Sequence, residues 1–378
     1  MSTFPASRPT LSRRRFGIAL TGAIGLLGIS ALPTRSAPAA QAATLTPQQL
    51  AGQRIVYSYP GLTPPASLLQ HITNGEAAGV IFFGENISST TQIASVVQQL
   101  RQAQQLSPIQ APLLLMTDQE GGLVRRLPGE PTLSEKQIGL SSNPPQAATT
   151  AGTGAGQNLA SVGMNVNLAP VLDVFYKSGN FIDQFQRSYS NDASVVSTLG
   201  RNFITAQQAT GVAATAKHFP GLGAATKNQN TDLGPVTLNV SLSGLRGKDE
   251  VPYPAAIAAG VKLIMLSWAI YTALDRSRPA GLSATVVQSE LRTRLGFAGV
   301  TVTDALEAGA LNAFGATAQR AVLAAQAGMD LILCSARDVS QGETATTGLV
   351  NALAAGQLDP SVFQSAVDRI GALRAGLQ

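Results

Sequence analysis

A single (β/α)8 barrel of the TIM type is the fold class that this 378-residue sequence predicts. Three observations point to it. Eight short apolar runs recur along residues 43–378, with segments of helical spacing between them. Such alternation calls for a parallel sheet covered by helices, and eight units favour closure. Three of the runs end in polar or charged strings: T-D-Q-E-G-G-L-V-R-R-L at 117–127, K-H-F-P-G-L-G at 217–223 and G-V-T-V-T-D-A-L-E at 299–307. Barrel strands expose their chemistry at such C-terminal ends. The alternative, an open doubly wound sheet, lacks support because no glycine-rich dinucleotide fingerprint follows the first run.

Taken in order, the candidate strands are 54–58, 79–83, 112–117, 163–169, 212–217, 262–267, 299–303 and 329–334. The Ala- and Gln-rich segments 90–105, 145–162, 194–210 and 316–327 read as helices between them. Residues 225–250 read as a long polar loop after the fifth strand, and 360–377 as a helix on the barrel exterior. His71, in A-S-L-L-Q-H-I, falls on an early helix with no functional sign. The single cysteine, Cys334, permits no intramolecular disulfide and reads as a buried strand residue.

Residues 1–42 read as an export signal of the twin-arginine type. Ser12-Arg13-Arg14-Arg15-Phe16 precedes an apolar segment at 17–32, and Ala40-Gln41-Ala42 offers a small-x-small cleavage site. The apolar run is short, interrupted by glycines and ended by Pro33, which favours cleavage over a permanent membrane anchor. The expected destination is the extracellular or cell-envelope space. The leader's five arginines, unaccompanied by any acid, account for the whole formal charge of +5. The rest of the chain is formally neutral, with no basic stripe for nucleic acid.

Candidate chemistry sits in the three strings. Asp304 ends an apolar run, where it would face a barrel mouth or cap the helix expected near Leu306. Asp118 and Glu120 precede Gly121-Gly122, which allow close backbone approach to a ligand, and Arg125 and Arg126 add donors. The bland alternative is a solvated turn with ion pairs. Lys217 and His218 place two more donors at a strand end, although a lone histidine is more often structural.

The ordered set D-Q-E-G-G-x-V-x-R-L, G-x-N-x-x-L-A-P-V-x-D-V, R-S-Y, K-H-F-P-G-x-G and T-D-A-L resembles glycoside hydrolase family 3, specifically its single-domain bacterial β-N-acetylglucosaminidase branch. The likeness covers nearly all of 45–378. It implies a retaining mechanism through a covalent glycosyl-enzyme, with terminal β-linked N-acetylglucosamine in cell-wall fragments or chito-oligosaccharides as substrate. By the same resemblance Asp304 matches the nucleophile, while Asp118, Arg126, Arg187, Lys217 and His218 match sugar-binding positions. No metal and no organic cofactor is implied.

The fifth-strand string departs from the family pattern. The resembled branch reads K-H-F-P-G-H-G, followed by an Asp-x-His pair whose histidine is the acid/base. Here Leu222 replaces the motif's second histidine, and without gaps Asn228 and Asn230 stand where Asp and His belong. Amides cannot titrate. Asp232 is the nearby carboxylate, either a relocated acid/base with a raised pKa or a solvated loop residue. Leu123 also replaces an arginine of the first string. The reading is a β-N-acetylhexosaminidase with an atypical acid/base loop. A phosphorylase or transglycosylase, and an impaired sugar-binding homologue, stand as alternatives.

Overall fold

The structure, a computed structural model, describes residues 45–377. The expected leader, 1–42, lies outside the described residues. Eight parallel strands form the main sheet: β1 (Ile55–Tyr57), β2 (Gly79–Phe82), β3 (Leu114–Thr117), β4 (Val166–Asn167), β5 (Ala213–Phe219), β6 (Leu263–Leu266), β7 (Val300–Thr303) and β8 (Ile332–Leu333). From β1 to β7 each strand pairs with its sequence neighbours, and β8 pairs with β1. A parallel bridge between Val302 and Leu331 completes the ring. All eight expected runs are therefore strands of one barrel, trimmed at their ends except that β5 runs on to Phe219.

The two-residue period of a strand decides what faces the barrel axis. Val56, Ile81, Leu114, Met116, Val166, Leu168, Leu263, Met265, Val300, Val302, Leu331 and Leu333 form one inner cluster. The alternate residues, such as Val80, Leu115, Ile264 and Leu266, join a larger cluster shared with the helices. Extending the inner parity upward brings Phe83, Asp118, Lys217, Asp304 and Ser335 to the C-terminal mouth.

Helices Thr90–Gln105, Pro144–Ser161, Ala193–Gln208 and Thr317–Ala327 lie where the apolar spacing implied. Ala193–Gln208 shows the local logic. The Asp192 carboxylate accepts the Ser194 amide at 2.8 Å, and Val196, Leu199, Phe203 and Ile204 are buried at helical spacing.

Two expectations need correction. Helix Pro360–Ala375 does not merely lie on the flank: Ile370 and Leu373, with Leu377 just beyond the helix, join the inner cluster. Arg374 donates to the backbone oxygens of Ala111 and Pro112 ahead of β3, so the helix covers the N-terminal end of the barrel. Nor is 225–250 all loop. Thr237–Leu238 pairs in parallel with Ile270–Tyr271, and a helical stretch runs over 242–249. Buried Leu238 and Leu245 hold this segment to the core, which its polar composition conceals.

Candidate active site

Beyond β3 the chain folds into a short hairpin, Gln119–Gly121 against Val124–Arg125. Gly121 has φ +110, and a Cβ there would lie 2.2 Å from the Leu133 carbonyl oxygen, so only glycine fits. The buried Gln119 side chain accepts the Leu127 amide at 3.0 Å and donates to the carbonyls of Leu127 and Glu130 at 2.9 Å. Asp118 and Arg126 are thereby fixed at the mouth, with the Arg126 amide bonded to the Asp118 carbonyl. The buried Arg126 Nε has no protein partner among the described residues.

Glu120 lies below them, almost fully buried. Its carboxylate accepts Arg187 Nε and Nη2 at 2.8 Å each and Lys217 Nζ at 2.8 Å. Lys217 Nζ also donates to Asp118 at 2.8 Å. Burial alone would raise the Glu120 carboxyl, but the Arg187 and Lys217 charges overcome it and hold the group well below the ordinary carboxylate range. Burial likewise works against Lys217, yet Asp118 and Glu120 raise its pKa. Glu120 is thus not part of a solvated turn but the buried counter-ion of two cations.

His218 Nδ1 meets Asp173 Oδ2 at 2.7 Å, which assigns the proton to Nδ1 and turns Nε2 toward Arg187 Nη2, 3.4 Å away. Asp173 is fully buried, and its second oxygen accepts the amides of His218 and Leu222. One carboxylate therefore orients the imidazole and pins the start of the loop after β5. Asp173 was legible only as part of the string P-V-L-D-V.

That loop folds inward. Asn230 Oδ1 accepts the Asp232 amide at 2.9 Å, so this side chain is a turn former. The carbonyls of Thr231 and Asp232 accept the amides of Ala310 and Gly309, each at 2.9 Å. Gly309 is essential to the approach, because a Cβ there would lie 2.5 Å from the Leu233 carbonyl oxygen. Asp232 keeps contact with the cavity solvent and belongs to the cavity wall together with Asp304. Partial burial, then the negative charge of Asp304, raises its carboxyl to about 6. Arg187 and His218 pull the other way. Asp232 is thus a solvent-exposed loop residue that also borders the cavity lined by Asp304. Leu222 is buried in the same wall, whereas Asn228 is exposed and neither asparagine lines the cavity.

Asp304 directly follows β7 and accepts the Ala305 amide at 2.7 Å. No helix begins at Leu306; the next element is the 3-10 turn Gly309–Phe314, so the capping alternative falls. Asp118, Arg126, Arg187, Lys217, His218, Asp232 and Asp304 all line one cavity of about 480 Å³. Glu307 lines it as well, its carboxylate held by Ser335 Oγ at 2.8 Å and Gln341 Nε2 at 3.1 Å. Among the described residues no three His, Cys, Asp or Glu side chains converge as a metal-ion site.

The bland readings hold elsewhere. His71 lies on helix Ala66–Thr73, bonded to Glu76 at 2.8 Å and Glu343 at 2.9 Å. Cys334 is buried directly after β8, and burial pushes its thiol up. No described helix is long and apolar enough to cross a membrane.

The sequence profile of the glycosyl hydrolase family 3 N-terminal domain matches residues 52–373. The chain belongs to glycoside hydrolase family 3. It is accordingly a glycosidase. Among its relatives, an uncharacterized secreted glycosyl hydrolase of Arthroderma benhamiae is 49% identical over 86% of this chain and 93% of its own. A β-hexosaminidase of Xylella fastidiosa is 32% identical over 76% of this chain and 85% of its own. A solved family 3 β-N-acetylglucosaminidase from Paenibacillus sp. superposes with a TM-score of 0.82 at 33% identity. That superposition covers 88% of this chain and 63% of the other, so the chain spans somewhat less than two thirds of it. The β-N-acetylhexosaminidase of Beutenbergia cavernae gives a TM-score of 0.79 at 32% identity, over 88% of this chain and 99% of the other.

Proposed function

We propose that the protein is a retaining β-N-acetylhexosaminidase that removes terminal β-linked N-acetylglucosamine from cell-wall fragments or chito-oligosaccharides. Asp304 acts as nucleophile and Asp232 as a relocated acid/base. The observation that carries this reading is the convergence of Asp232 and Asp304 on one cavity from separate loops, with the Asp232 carboxyl raised to about 6. A pair of carboxyl groups with unlike proton affinities is what retention requires. The names of the Xylella, Paenibacillus and Beutenbergia relatives support the sugar specificity.

In this mechanism Asp118, Arg126, Arg187, Lys217 and His218 bind the glycone. Their donors and acceptors are fixed before substrate arrives, and they favour the transition state through hydrogen bonds to sugar hydroxyls that tighten as the ring distorts. Asp304 attacks the anomeric carbon as the bond to the leaving oxygen breaks, and Asp232 gives that oxygen a proton. Asp232 then takes a proton from water, whose oxygen displaces Asp304. A 2-fluoro glycoside with an activated leaving group tests the assignment. It should label Asp304 in peptide mapping; label on another carboxylate would refute the nucleophile.

We further propose export through the leader at 1–42. The Arg13-Arg14 pair and the secreted Arthroderma relative support it.

A further inference from the structure

The glycone-binding side chains come from the ends of β3, β4 and β5, and the paired carboxylates from those of β5 and β7. The remaining sector of the mouth, β8 to β2, lines the same cavity through Phe83, Ser335 and Arg337, and no role above uses it.

Arg337 is unusual in three ways. Its φ is +59, in the left-handed region that glycine adopts freely and arginine does not. The surroundings hold it there. Its amide donates to Ser58 Oγ at 2.8 Å, that hydroxyl donates to the Cys334 carbonyl at 2.8 Å, and the Ala336 amide donates to Gln341 Oε1 at 2.9 Å. Strain maintained by several bonds on a cavity wall is a mark of function. Second, the guanidinium lies over the Phe83 ring, 4.6 Å from its centroid. Third, its ion pair with Glu85 is loose, 3.5 Å long, with both side chains about half exposed. Such a pair contributes little. The terminal nitrogens stay available to a ligand.

Strand order sets the β8 loop across the mouth from the β4 loop, which carries Arg187. A sugar gripped on the Arg187 side, with its anomeric carbon at Asp304 on β7, leaves the β8 side for the leaving group. We infer that Arg337, stacked on Phe83, reads the aglycone and selects one bearing a carboxylate, which a guanidinium binds with two parallel hydrogen bonds. The inference rests on the glycosidase reading above, with Asp304 as the reacting carboxylate. Glu307 is the opposing feature. Its negative charge lies in the same wall, tied to Ser335 and Gln341, and would favour a neutral or cationic group if it dominated.

Non-hydrolysable thioglycosides of N-acetylglucosamine separate the two. Meta- and para-carboxyphenyl compounds are compared with their carbamoyl counterparts by calorimetric titration. The wild type should bind at least one carboxylate about tenfold or more tightly than its amide, a preference that shrinks at high salt. Arg337→Gly relaxes the backbone, so it should fold, and should bring the ratio to about one. Arg337→Lys should keep part of the preference. Turnover of the plain phenyl glycoside should be unchanged in Arg337→Gly, and its absence in the wild type would refute the glycosidase reading without touching the binding comparison. Equal affinity for acid and amide in the wild type, no binding of either, tighter binding of the amide, or a preference that survives Arg337→Gly would each overturn the inference.

Discussion

The carbonyl oxygen of Asp232 accepts the amide of Gly309 at 2.9 Å. This bond ties the loop after β5 to the segment after β7 that begins with Asp304. The two carboxylates that the proposed mechanism pairs are therefore linked through the backbone, not only by facing one cavity.

Asp232→Asn should separate substrates by leaving group. Loss of general acid help costs typically 10²–10⁴-fold, and falls on unactivated glycosides. An activated aryl glycoside should still form the glycosyl-enzyme and then stall, with azide relieving the stall. Steady-state and burst kinetics on chito-oligomers and nitrophenyl glycosides check this. Equal slowing of both classes would rule Asp232 out as acid/base.

The same residue sets a pH limb. A raised carboxyl stays protonated to higher pH than an ordinary aspartate, near 3.9. Because the protonated form is the acid, kcat/KM for unactivated substrates should hold below about 6 and fall above it. In Asp232→Asn that alkaline limb should disappear; a limb left in place would assign it to another group.

Gly309→Val tests the loop itself. The added Cβ would lie 2.5 Å from the Leu233 carbonyl oxygen, so the loop must move away. Turnover of unactivated glycosides should fall toward that of Asp232→Asn, while labelling of Asp304 by an activated inhibitor persists. Full activity on chito-oligomers would show that the loop contact is dispensable.

Glu120→Gln should cost stability, not only binding. It leaves Lys217 and Arg187 buried without their shared anion, and breaking such a pair costs about 3–5 kcal/mol. Because the Glu120 pKa is depressed, its contribution is present above the ordinary carboxylate pKa and is lost as pH falls through the lowered one. Denaturant melts at neutral pH and near pH 3 should therefore differ more between variant and wild type at neutral pH.

Export gives a chemical readout. The secreted protein should begin near Ala43, and Arg13→Lys with Arg14→Lys should hold it in the cell. Unchanged secretion would reject the twin-arginine assignment.

The barrel was legible because a buried parallel strand is a continuous apolar run, and all eight such runs became strands. The inward parity of Asp118, Lys217 and Asp304 follows from the same period of two. What the sequence concealed depends on contacts distant along the chain. Nothing near Ile370 says that it packs beneath Val56 and Val300 rather than on a flank. Glu120 looked exposed ahead of two glycines because its partners, Arg187 and Lys217, lie on the loop after β4 and in β5. Asp232 carried no local sign of a place on the cavity wall, since the amide that holds its backbone there belongs to Gly309. Asp173 sat inside a quoted string without a role until His218 folded against it.

The burial of Glu120 between two cations has a consequence for how the pocket meets its medium. Counter-ions in solution weaken charges that share their dielectric, and have little hold on pairs sealed from water. Lys217 lost its hydration and Arg187 most of it when the chain folded, and their two positive charges are already matched by Glu120 and Asp118. Glycone affinity should thus vary little between dilute and brackish surroundings, unlike any contact made at the half-exposed Arg337.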